Sequence, residues 1–172
     1  ALADLYLNGH LADERGRAAV AVRHPCHDPV LEAALEEIAR SKPRKWHSWV
    51  GRGQRPVVRA VRQQLADSGW ARLEPRRILG LFPTTKITLR DPRVRKELLS
   101  RVSGALRNPV GRTDPADAAL VAIVAAGELG LVLDRKARRA AKQRIRDLTA
   151  LSGPVGPALR KALQDEASSA AG

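Results

Sequence analysis

The sequence is poor in cysteine, in aromatic residues and in long apolar runs, and each shortage removes a class of protein. Cys26 is the only cysteine. No intrachain disulfide can form, and the chain fits a reducing cytoplasm. His24 and His27 flank it, but one Cys and two loop His fall short of a four-ligand zinc set. The stretch HPCHDP reads instead as a turn running into a helix. Aromatics are only 3% of the chain, so Leu, Val and Ala must fill the core. There is no signal-peptide pattern and no uninterrupted run of about 18 apolar residues, so nothing is expected to span a bilayer. The nearest candidate, Ala116 to Leu133, is broken by Asp117 and Glu128. Also missing are G-x-S-x-G, a Walker loop, H-E-x-x-H and paired carboxylates in apolar surroundings. The chain reads as non-catalytic, with no metal site and no cofactor.

What is abundant is positive charge. The formal net charge is +13 and the isoelectric point about 11.2. Such a balance calls for a polyanionic partner: nucleic acid, an anionic lipid surface or phosphorylated headgroups. Arg outnumbers Lys by 24 to 7, and a guanidinium fork can hold a phosphate with two bonds. The length of 172 residues suits one domain spanning residues 1–172, and 44% hydrophobic residues provide for a folded core. An Ala-rich, Leu-rich composition leans to helix.

Three helix starts share one signature, Asp28-Pro29, Asp91-Pro92 and Asp114-Pro115. The Asp accepts bonds from free N–H groups of the first turn, and Pro fits the first helical position because it has no N–H to leave unpaired. The first helix is expected to reach about Arg40 and the second about Arg107. The third, all-round apolar, is expected to run to about 133. Ala1 to Leu7 reads as a helix end, Gly9 to Val22 as a small hairpin turning at Glu14-Arg15-Gly16-Arg17, and Pro43 to Val50 as a short helix carrying Trp46 and Trp49. A helix from Pro56 to Ser68 should bury Val57, Val58, Val61 and Leu65. Asp134 opens a basic helix to Leu151, and a last short helix runs through Leu159 and Leu163 into a frayed tail from Ala167. The fold class is mainly α: a helical bundle around a central apolar helix (about 115–133), a protruding β-hairpin (about 71–89) and a small N-terminal hairpin.

The larger hairpin carries the first functional signal. Two polar arms flank an apolar tip of Ile78, Leu79, Gly80, Leu81 and Phe82, the only Phe in the chain, with Arg76, Arg77 and Lys86 behind it. An apolar finger with a basic collar suits an anionic membrane or a second subunit. With Leu79-Gly80 as the turn, Ile78 would face Leu81 and Arg77 would face Phe82. The second signal is Arg55, Arg59 and Arg62, spaced by four and three so that they stack on one side of a helix. Converging near its N-terminus, they form a candidate phosphate site. The run Arg135, Lys136, Arg138, Arg139, Lys142, Arg144 and Arg146 cannot share one face and reads as a general positive field.

The segments DPVLEAALEEIARSKPRKWHSWV, VRQQLADSGWARLEPRRILGLFPTTKITLRDP, ADAALVAIVAAGELGLVL and AAKQRIRDL, in that order, resemble the Golgi phosphoprotein 3 family. The Arg-rich, Ala-rich composition resembles its bacterial, notably actinobacterial, members. The resemblance implies a mostly helical bundle with a protruding hairpin. It also implies peripheral association with membranes. Eukaryotic members bind phosphatidylinositol 4-phosphate on Golgi membranes, use the hairpin in membrane contact and self-association, and hold cytoplasmic tails of glycosyltransferases. The family's headgroup pocket takes a Trp and an Arg from an N-terminal helix and two Arg from the helix before the hairpin. Alignment through Gly69 and Thr84-Thr85 puts the first of those two on Arg55. The second falls on Val58, with Arg59 adjacent. The N-terminal pair would precede Ala1, and the natural protein is expected to extend further there. The rival reading is a winged-helix-like nucleic-acid-binding protein, since a helix followed by a hairpin is the order of a recognition helix and wing. An apolar wing tip argues against it.

Overall fold

The computed structural model describes all residues except 23, 53, 79–81, 131, 171 and 172, and no side chain at 54, 78, 82 or 170. Helix dominates, at 61%, and the chain divides into two compact units, residues 1–52 with 99–172, and residues 53–98.

The first unit opens with α1 (Leu2–Leu7) and a hairpin of β1 (Leu11–Glu14) and β2 (Arg17–Val20). Glu14 pairs with Arg17, so Arg15-Gly16 form a two-residue loop. Both have positive φ, 53° and 78°, the geometry that matches the twist of the flanking strands. Helix α2 (Pro29–Ala39) follows, then β3 (Arg44–Lys45), which adds an antiparallel edge to β2, and α3 (Trp46–Gly51). Asp28 caps α2 by accepting from the Val30 and Leu31 amides at 2.8 and 3.0 Å. Trp46 and Trp49 are both buried, so they serve as core. Trp46 donates its indole N–H to Asp13 at 2.7 Å and meets Tyr6 edge-on at 5.7 Å.

The second unit contains α4 (Gln54–Asp67), β4 (Ala71–Ile78), β5 (Phe82–Leu89) and the start of α5 (Pro92–Arg107). The first unit then resumes with the rest of α5, α6 (Pro115–Ala126), α7 (Arg135–Ala140), α8 (Lys142–Leu151) and α9 (Val155–Ala170). The predicted central helix is α6, which packs against α1, α8 and α9. It gives Ala119 to one apolar cluster, with Leu5, Leu35, Ile38, Trp46 and Val155, and Ala118, Val121 and Val124 to another, with Val102, Ile145 and Leu148. A helix that serves two cores must be apolar on all sides.

Four expectations are corrected here. Helix α6 stops at Ala126, not near 133, because Gly127 is a poor helix former and Glu128 adopts a left-handed φ of 50°, with the Leu129 amide closing back on Val124 O. The basic segment after Asp134 is two helices separated at Ala141. Helix α9 continues through 167–170, its Ser168 and Ser169 hydroxyls donating to carbonyls four residues back. Finally, Val58, Val61 and Leu65 are 44%, 38% and 39% exposed and Val57 is only half-buried. In this unit α4 has β4 as its main neighbour, and one strand is too narrow to cover a three-residue apolar stripe.

The α4–β4 junction is a Schellman motif. Gly69 has φ +76°, its amide reaches Ala66 O, and the Trp70 amide reaches Leu65 O. The ribbon runs in continuous register from Ala71↔Leu89 to Ile78↔Phe82. One face carries Ala71, Leu73, Pro75, Thr85, Ile87 and Leu89. The other carries Arg72, Glu74, Arg76, Thr84, Lys86 and Thr88. Glu74 lies 3.9 Å from both Arg72 and Lys86 on that face. The expected pairing of Ile78 with Leu81 and Arg77 with Phe82 is off by one: Ile78 pairs with Phe82 and Arg77 with Pro83. In the observed register Pro75 and Pro83 sit on rungs two apart and hence of the same kind, where the backbone nitrogen points away from the partner. The expected register would place one proline on a hydrogen-bonded rung and lose that bond.

Candidate functional site

Charge is concentrated in the second unit. Between residues 53 and 98 lie eleven basic and four acidic side chains, so this quarter of the sequence carries more than half of the net charge of +13. Helical spacing puts Arg55, Arg59 and Arg62 on one side of α4, and they line an open cleft of about 640 Å³. Val58 and Gln63 complete the helix wall, and Leu73, Pro75 and Thr85 from the apolar face of the ribbon form the opposite one. Among the described residues no carboxylate lines it. Among the described residues none of the three guanidinium groups has an ion-pair or hydrogen-bond partner. Gln63 is turned along the helix, its amide donating to Asp67 at 2.7 Å. Unpaired guanidinium forks beside apolar Val58 and Leu73 suit an anion whose attached carbon skeleton is apolar.

Of the other predicted site residues, Arg76 and Arg77 line a neighbouring cleft of about 450 Å³ with Pro75, Pro83, Thr84 and Thr85. Both are exposed. Leu79 and Leu81 lie outside the described residues. Ile78 and Phe82 are placed by backbone register alone, as the last rung of the ribbon. The sequence reading missed Leu73, Pro75 and Thr85. The signal was available in the two-residue alternation of the arms, which puts Leu73, Pro75 and Thr85 on one face once the register is known.

Cys26 meets His10, not His24 or His27. Its Sγ is 3.8 Å from His10 Nε2, and its amide donates to Glu32 Oε2 at 2.7 Å. Burial first, then the charge and hydrogen bond of Glu32 and the charge of Asp28, raise the thiol pKa. A reactive thiolate needs the opposite environment. Among the described residues no group of three or more His, Cys, Asp or Glu could hold a metal, and no helix is long and apolar enough to cross a membrane.

In the basic run, Arg144 departs from the expected general field. Its guanidinium donates to Ala105 O at 3.1 and 2.7 Å, to Asn108 O, and to Thr113 Oγ1 at 3.0 Å. It closes the C-terminal end of α5 and ties it to the segment that follows. Arg138 is likewise engaged, with Glu128 at 2.8 Å.

A mainly helical chain with a helix–ribbon unit that carries an arginine-lined cleft defines a class of helical proteins with a β-hairpin. The chain belongs to the Golgi phosphoprotein 3 family (GPP34), whose family model matches residues 1–165. No curated protein matches the chain.

Proposed function

We propose that this protein is a non-catalytic, peripheral membrane protein that binds anionic phospholipid headgroups of the phosphatidylinositol 4-phosphate type. The observation that carries the reading is the cleft in which, among the described residues, Arg55, Arg59 and Arg62 stand unpaired and no carboxylate is in the lining. Headgroup phosphate sits among the three arginines, and its glycerol and acyl portion leaves past Val58 and Leu73. The apolar tip, Ile78, Leu79, Leu81 and Phe82, dips into the bilayer with Arg76 and Arg77 at headgroup level. Each basic side chain near an anionic surface contributes roughly 1 kcal/mol, so docking is reversible. Held on the membrane, the protein serves as an adaptor for cytoplasmic tails of membrane proteins and self-associates through the hairpin.

Vesicle co-sedimentation tests this. Wild type should sediment with anionic and phosphoinositide-containing vesicles and not with neutral ones. Arg55→Gln/Arg59→Gln/Arg62→Gln should bind about 100-fold more weakly, from three lost charges at roughly 1 kcal/mol each. Leu81→Asp/Phe82→Asp should bind still less. Unchanged sedimentation of both variants would refute binding through the cleft and the tip, and a wild type that does not sediment with anionic vesicles would refute lipid binding. The order helix, Gly69, ribbon also fits a nucleic-acid-binding winged helix. That reading would gain if duplex DNA bound with a steep salt dependence while vesicles did not.

A further inference from the structure

Helix α4 is amphipathic, yet its apolar side has no cover. Among the described residues of 53–98 only Ala71 is buried. Seven of the eleven large apolar side chains exposed among the described residues fall in this unit, a density that marks a surface meant to be covered. On α4 itself, Val58, Val61 and Leu65 follow one another at spacings of three and four. At about 100° per residue they form one stripe within roughly 60° of the helix circumference. Val61 and Leu65 are not in the lining of the arginine cleft, so a headgroup held there leaves them bare. The Schellman motif brings the Trp70 amide back to Leu65 O at 2.9 Å, which carries Trp70 to the Leu65 end of the stripe. Trp70 is 48% exposed, whereas Trp46 and Trp49 are buried.

The charge beside the stripe selects what covers it. Arg55, Arg59 and Arg62 fill the adjoining sector of the helix. The one carboxylate of α4, Asp67, accepts from Gln63 at 2.7 Å. Two copies packed stripe to stripe would therefore gather six arginines against two carboxylates that are already engaged. A layer of acyl chains edged by anionic headgroups matches both sectors, apolar under the stripe and negative beside the arginines. An indole ring at the end of the stripe suits the same depth. We infer that α4 lies in the interface plane of an anionic bilayer, with Val58, Val61, Leu65 and Trp70 at the level where headgroups meet acyl chains, and that the membrane supplies the apolar cover the 53–98 unit lacks. This rests on the phospholipid reading proposed above and adds a contact to it. The added contact is a helix face laid on the lipid surface, independent of the ribbon tip and chemically distinct from headgroup capture by the arginines.

The test uses the full chain and vesicles of equal parts phosphatidylcholine and phosphatidylglycerol. Val61→Gln/Leu65→Gln removes the stripe outside the cleft, keeps all three arginines, and retains helix propensity because Gln is a good helix former. It should bind about tenfold more weakly, since side chains already partly covered can gain only part of a full burial. No charge is lost, so the steepness of its salt dependence should match wild type, whereas Arg55→Gln/Arg59→Gln/Arg62→Gln should flatten it. Val22→Gln/Leu129→Gln, which removes side chains 43% and 48% exposed outside the unit, should bind like wild type. Circular dichroism melts check that each variant is folded. Trp70 gives a second readout, because the other two Trp are buried. On adding vesicles, wild-type emission should shift to the blue and be quenched by phosphatidylcholine brominated on its acyl chains, and both changes should vanish in Trp70→Phe. Binding of Val61→Gln/Leu65→Gln within twofold of wild type overturns the interfacial helix alone and leaves headgroup capture standing. So does wild-type binding without a blue shift. Sedimentation equilibrium without vesicles should show a monomer; a wild-type dimer that Val61→Gln/Leu65→Gln dissociates assigns the stripe to a second copy and overturns the inference. Failure of wild type to bind these vesicles overturns both this inference and the function on which it rests.

Discussion

Replacing Arg144 by Gln should destabilise the first unit far more than any other single change in the basic run between 135 and 146. The guanidinium reaches Ala105 O through two nitrogens, Asn108 O and the Thr113 hydroxyl. Charged hydrogen bonds contribute roughly 1.5–3 kcal/mol each when lost, and a cation at a helix C-terminus adds about 0.3–1 kcal/mol. Against this stands the conformational entropy of ordering the side chain, up to about 2 kcal/mol. The balance for two carbonyl acceptors and one hydroxyl is a net loss of about 2–4 kcal/mol. For a chain of this size each kcal/mol moves the melting temperature by about 2–4 °C, so a fall of about 5–15 °C is expected. Urea titration followed by circular dichroism at 222 nm gives the free energy directly. Arg144→Lys keeps the charge but loses the fork and should recover less than half of the loss. Arg146→Gln, an exposed neighbour, should stay within about 0.5 kcal/mol of wild type. If Arg144→Gln and Arg146→Gln melt together, the side chain is a solvated charge and the cap is not real.

Two further outcomes follow from the packing. Gly153 has φ +69° and an added Cβ would stand 2.3 Å from Tyr6 Cε1, whereas Gly9 has φ +75° with nothing within 4 Å. Gly9→Ala should therefore cost only the left-handed backbone penalty of about 1–2 kcal/mol, while Gly153→Ala must also displace the Tyr6 ring and should lose more than about 3 kcal/mol, read from the same urea titrations. Cys26 is raised by burial and by Glu32, so its alkylation by iodoacetamide should rise at higher pH in the folded protein than in the same chain unfolded in urea. By linkage its contribution to stability is full below the ordinary thiol range and is lost as pH climbs through it, because the unfolded thiol ionises first. Coincident labelling profiles would show that Cys26 is not shielded.

Local chemistry made much of this fold readable. The Asp-Pro pairs at 28, 91 and 114 each mark a helix start, with the Asp side chain accepting from an amide two residues on at 2.7–2.8 Å. Arg15-Gly16 marked the first turn in the same way. What escaped was set by tertiary context. The apolar stripe of Val58, Val61 and Leu65 has the periodicity of a buried helix face, yet periodicity does not reveal how wide the opposing surface is. The break at Ala141 has no Gly or Pro to announce it in the span 135–151. The off-by-one hairpin register was decided by Pro75 and Pro83, which a reading centred on the Leu79-Gly80 dipeptide passed over. For the cleft, the arginine spacing on α4 was legible from one helix, but the wall made by Leu73, Pro75 and Thr85 required that register first. The contact of Cys26 with His10 joins residues sixteen apart through the fold of β1 and the loop before α2, which no local pattern encodes.

The placement of Pro75 and Pro83 bears on how copies of this protein could meet. Each outer margin of the two-stranded ribbon lacks a donor where an incoming third strand would need one. Continuous sheet growth from chain to chain is thereby interrupted at both margins. Any oligomer built on this finger must be assembled from side chains, face to face or tip to tip, and can come apart again without unzipping a backbone ladder.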